Sequence, residues 1–129
     1  MTLTARPQEY EVVYNSLVNA ARSKSRVFYW ELARLLASLP DDPEQAADVS
    51  DVLREVAVAE HHAGRPLLTA LAVTGKSIPG NVFFTSARDL GLLTSADPAE
   101  EMRFWMEEER RVYEMWSSLS DQPSSPDNV

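Results

Sequence analysis

Apolar residues recur at helical spacing from the start of the chain. Tyr10, Val13, Tyr14, Leu17, Val18 and Ala21 share one face and predict a helix over Pro7 to Arg22. Ser23 to Arg26 is a polar, basic break, and Val27-Phe28-Tyr29 reads as briefly extended. A second helix is predicted over Trp30 to Leu39, carried by Leu32, Ala33, Leu35 and Leu36, with Pro40 as its stop. Asp42-Pro43-Glu44-Gln45 has the form of another helix start. A third full helix is expected over Val49 to His62. Val49, Val52, Leu53, Val56 and Ala59 or Glu60 form its inner face, and Gly64 closes it.

The pattern then changes. Leu67 to Val73 is a continuous apolar run between Pro66 and Gly75, which predicts a buried strand. Its backbone needs a partner, either Val27-Phe28-Tyr29 or the segment Ile78 to Phe84 returning after the turn. Gly80 permits close backbone approach there. A short helix is expected over Val82 to Leu90, with Gly91 behind it. Asp97-Pro98-Ala99-Glu100 starts a last helix reaching about Ser118, with Met102, Trp105, Met106, Val112, Tyr113, Trp116 and Leu119 as its stripe. Glu109 falls on that stripe, while Phe104 and Met115 fall off it. The expected architecture is mainly α with a small β hairpin or short sheet, an α+β domain over residues 1–119. Residues 120–129, rich in Ser, Pro, Asp and Asn, are expected to form a disordered tail.

Composition narrows the function classes. The 129 residues include no cysteine, which removes thiol chemistry and Cys-bound zinc. No apolar run approaches the ~18 residues of a membrane span, and Met1 to Tyr10 lacks the pattern of a secretory leader. A cytoplasmic location is expected. The net charge of −8 is unevenly placed. Residues 1–40 balance to +2, 41–60 to −6, 61–96 to +2 and 97–129 to −6. An acidic surface repels phosphate and attracts basic partners.

Few residues carry recognisable chemistry. Ala70 to Ser77 matches a relaxed phosphate-loop pattern, but Pro79 follows too soon for a helix to begin there. Glu60-His61-His62 cannot converge on one ion, because consecutive helical residues point about 100° apart. No metal and no cofactor is expected. Glu60 and Arg65 flank Gly64 and can pair, or form part of a polar pocket with Asn81 and Glu31. Glu would then serve as acid or base and Arg as an anion holder.

The order of a helix, Gly-Arg-Pro-Leu-Leu (64–68), an apolar run, Pro79-Gly80, Phe83-Phe84 and Ala-Arg-Asp-Leu-Gly (87–91) resembles a pattern in small uncharacterised bacterial and phage proteins. Val27 to Leu35 is similar to the start of the winged-helix domain in alkyltransferase-like proteins. The reactive Pro-Cys-His-Arg motif of that family is absent, so the resemblance implies a winged-helix-like fold and no activity. Its recognition helix would be Val49 to His62. Asp48, Asp51, Glu55 and Glu60 against Arg54 give that helix the wrong sign for a polyanion, which disfavours direct DNA binding.

The sequence thus points to a non-enzymatic interaction or regulatory protein that binds a protein partner or itself. Asp48, Asp51, Glu55, Phe104, Met115 and Trp116 are the expected contact residues. Two alternatives stand beside it. One is a small enzyme or ligand-binding protein using Glu31, Glu60, Arg65 and Asn81. The other is a nucleic-acid-binding regulator using Arg65 and Lys76.

Overall fold

A computed structural model describes residues 6–39 and 47–120, the last three of these as backbone only. The helix start at Asp42 to Gln45 and the tail from Asp121 lie outside the described residues. The described part is mainly helical, with one short sheet and a long C-terminal helix.

Helix α1 spans Pro7–Arg22. Pro7 suits its first turn, and the Glu9 carboxylate accepts from the Arg6 backbone N–H at 2.9 Å. The same carboxylate accepts from the Arg6 guanidinium at 2.7 Å and from the Ala47 N–H at 3.0 Å. These bonds, led by the one from the Arg6 side chain, outweigh burial and lower the Glu9 pKa to about 2. A carboxyl whose pKa falls on folding stabilises the fold above its unfolded value, near 4.3, and loses that contribution as pH drops towards 2. Glu9→Gln is therefore expected to flatten the acid limb of the stability curve, measured by urea unfolding between pH 5 and 2.

Strand β1, Val27–Phe28, leads directly into α2, Tyr29–Ala37. The Glu31 carboxylate accepts from the Phe28 N–H at 2.9 Å and fixes this entry. Helix α2 buries Leu32 and Leu36 but leaves Ala33 and Leu35 outside. It ends before Pro40 is reached, where the Ser38 hydroxyl donates to the Leu35 carbonyl at 2.8 Å. Helix α3, Val49–His62, begins at Asp48, whose side chain accepts from the Ser50 N–H. It ends at Gly64, which takes the left-handed conformation (φ 77°) that glycine adopts without a side-chain clash.

The run predicted as a strand over Leu67 to Val73 divides. Leu68–Leu71 is a 3-10 turn, and only Ala72–Val73 forms strand β2. The reason is the length of its partner. β1 offers two residues, paired in parallel as Val27 with Ala72 and Phe28 with Val73. Upstream, local bonds such as Ala70 N–H to the Leu67 carbonyl (3.0 Å) take over. The returning segment contributes a single antiparallel bridge, Val73 with Pro79. Both expected partners are thus used.

Helix α4, Asn81–Asp89, starts at Gly80. A Cβ there would lie 2.4 Å from the Tyr29 hydroxyl oxygen, so glycine permits the contact between this turn and α2. Helix α5, Pro98–Ser120, turns Trp105, Glu108, Glu109, Val112 and Trp116 inward. Met106, expected on that face, is 62% exposed.

The core has two parts. Leu17, Leu32, Leu36, Val52, Val56, Leu71, Val112 and Trp116 pack between α1, α2, α3 and α5. Ala57, Leu67, Val73, Phe83, Phe84 and Trp105 form the second cluster, under α4. Among the described residues no helix is long and apolar enough to cross a membrane.

Candidate functional site

The parallel pairing of β1 with β2 joins the two mildly basic stretches of the chain, residues 1–40 and 61–96. Two open depressions lie on this side of the molecule. A groove of about 560 Å³ runs between the end of α1 and α2. Ser16, Asn19, Ser23, Ser25 and Ser38 give it hydroxyl and amide walls, Arg26 and Arg34 give it charge, and Trp30 and Leu35 form its apolar rim. Trp30 is 57% exposed and Leu35 37%, although both sit on a short helix with little surface. The Trp30 ring stacks on Phe28, with centroids 6.4 Å apart. One side of the ring thus meets Phe28 while much of its surface stays open.

A second cleft, of about 500 Å³, opens on the other side of Arg26. Lys24, Ser25, Phe28, Val73, Ser77, Glu109 and Tyr113 line it together with Arg26. Arg26 is the wall between the two. Its guanidinium donates to Glu109 twice, at 2.6 and 2.9 Å, and stands 4.9 Å from the centroid of Trp105. Glu109 raises the Arg26 pKa further. The Tyr113 hydroxyl donates to the Ser25 carbonyl at 2.9 Å, and burial with Glu109 nearby pushes its pKa to about 12. These contacts explain a carboxylate on the inner face of α5. Glu108, also buried, accepts from the Leu67 N–H at 2.7 Å and from Arg111 at 2.9 Å.

The structure brings Glu60 and Arg65 together. Nε and Nη2 of Arg65 donate to the two Glu60 oxygens at 2.8 and 2.9 Å. Burial and Glu60 raise the pKa of Tyr14, which accepts from the same guanidinium at 3.5 Å. The Glu60 side chain is fully buried. Its carboxylate is thus committed to an ion pair. Glu31 lines the α1–α2 groove, and Asn81 is the exposed first residue of α4. Glu60, Arg65 and Asn81 are absent from the walls of both depressions.

The expected contact residues also separate. Asp48 caps α3, and Asp51 pairs with Arg54 at 3.0 Å. Glu55 is half-buried on the same helix. Phe104 packs on Phe83 with centroids 5.7 Å apart, and Met115 packs against the first core cluster. Trp116 is buried in that cluster, with the Arg22 guanidinium 6.0 Å from its ring centroid. The exposed aromatic is instead Trp30. Its sequence signal is position, because it lies in the first turn of α2, two residues before the Leu32–Leu36 stripe. Among the described residues, no group of three or more His, Cys, Asp or Glu side chains could hold a metal ion.

Comparison with protein-family models, with curated proteins and with solved structures gives no match.

Proposed function

We propose that this chain is a non-enzymatic interaction protein that docks a partner protein in the α1–α2 groove. The observation that carries the reading is Trp30, a large aromatic left open and stacked on Phe28, on the rim of a groove with polar walls. Tryptophan and arginine dominate contact energetics where they can be desolvated. Arg34 forms no ion pair among the described residues, and Glu31 already accepts from the Phe28 N–H. The groove therefore suits a partner segment with an acidic and an apolar side chain. No residue of α3 or α5 lines this groove. A winged-helix-like scaffold remains part of the proposal. The order helix, strand, helix, helix, strand, turn supports it, and the direct parallel pairing of β1 with β2 departs from it.

The two alternatives have less support. Both oxygens of Glu60 are held by Arg65, so the polar pocket lacks an open acid or base. The same pair removes Arg65 as a phosphate contact, leaving Lys76 alone in the turn. The test is a pull-down comparing wild type, Trp30→Ala/Leu35→Ser and Met106→Ser as bait. A partner retained by wild type and by Met106→Ser, but lost from the groove variant, is the expected result. Equal retention by all three, or neither partner nor self-association with wild type, would contradict the reading.

A further inference from the structure

Two residues other than glycine take left-handed backbone conformations among the described residues, Lys24 (φ 56°) and Ser77 (φ 61°). Both line the cleft beside Arg26, although 53 positions separate them in the chain. Each occupies a place where glycine is the usual choice. Lys24 follows the end of α1, where the Ser25 N–H returns to the Ala20 carbonyl at 2.8 Å, a helix-end motif that favours glycine at the position Lys24 fills. Ser77 closes the turn after β2, in which its N–H donates to the Thr74 carbonyl at 2.9 Å and the Thr74 N–H to the Ile78 carbonyl at 2.8 Å. A β-carbon at either position adds strain, and neither side chain is needed to form its turn. Glycine does stand at the ends of α3 and α4, as Gly64 and Gly91, both with positive φ. The two exceptions therefore converge on one cleft, and both bring polar side chains to it. Strain of this kind gathers at ligand-binding sites.

We propose that this cleft binds a phosphate monoester carried on a small apolar body. The Lys24 ammonium and the Ser77 hydroxyl supply charge and a donor from two chain segments, while the Ser25 hydroxyl already bonds within its own turn, to the Ser23 hydroxyl at 2.9 Å. Phe28 supplies the apolar wall, and Val73 is fully buried. The carboxylate at the site, Glu109, is already held by Arg26, so it leaves the ammonium free to meet an anion. The site does not depend on the docking groove.

The experiment titrates the full-length chain with phenyl phosphate, followed by amide chemical shifts, for wild type, Lys24→Gly, Ser77→Gly and Met106→Ser. Thermal unfolding is measured on the same proteins, with benzoate and inorganic phosphate as further ligands. Wild type and Met106→Ser are expected to bind phenyl phosphate more tightly than either of the other ligands. Each glycine variant is expected to bind it at least ~10-fold more weakly, with a melting temperature equal to or above that of wild type. No shift changes around Lys24 and Ser77 in wild type would overturn the proposal. Unchanged affinity in both glycine variants, or benzoate binding as tightly as phenyl phosphate, would do the same.

Discussion

Replacing Arg65 by alanine is expected to destabilise the protein by about 3–5 kcal/mol, the usual result of leaving a buried charge without its partner. Glu60 has no exposed side-chain surface, and both of its oxygens accept from that one guanidinium. For a domain of ordinary stability, roughly 5–15 kcal/mol in all, the loss is severe. Glu60→Leu/Arg65→Met removes both charges and fills the space, and is expected to stay within about 1.5 kcal/mol of wild type or exceed it. Urea unfolding of the single and double variants measures both. A mild effect of Arg65→Ala would mean that Glu60 finds water or another donor, and would reopen the polar pocket.

Trp105→Ala is expected to cost about 3–5 kcal/mol, as large aromatic deletions from a core do. Trp105 is buried in the cluster under α4, and its indole N–H donates to the Ala70 carbonyl at 2.8 Å. That bond ties α5 to the 3-10 turn leading into β2. The outer face of the ring supports Arg26, the wall shared by the groove and the cleft. Trp105→Phe keeps most of the volume but leaves the Ala70 carbonyl without its donor, at a cost of about 1–3 kcal/mol. Denaturant unfolding separates the two variants. Equal stability of Trp105→Phe and wild type would show that the hydrogen bond contributes nothing net.

The helices with strong end signals were legible from the sequence. Pro7 marks the start of α1 and Gly64 the end of α3, because first-turn prolines and left-handed turns are local chemistry, whereas the capping of α3 by Asp48, expected as a contact residue, was not legible. The Glu60–Arg65 pair was legible for the same reason, since the turn at Gly64 folds five residues back onto the helix end. Helix α2 ends at Ala37, where Ser38 is its C-cap and its hydroxyl bonds back to Leu35. The run Leu67 to Val73 was ambiguous because continuous burial has no period. Only the two-residue length of β1 decides how much of it becomes strand. The rotation of α5 depends on Arg26, 83 residues away, reaching Glu109, and nothing near Met106 in the chain signals that it faces outward. Trp30 was hidden likewise. Periodicity places an aromatic on a helix but does not say whether a neighbour covers it.

Photo-crosslinking from position 30 tests the docking reading most directly. A benzoylphenylalanine at residue 30 of the full-length chain, against one at residue 106, is activated in cells and the products are resolved by mass. A discrete adduct to one partner protein or to a second copy is predicted from position 30, reduced by Leu35→Ser and absent from position 106. The same adducts from both positions, or none from position 30, would contradict it.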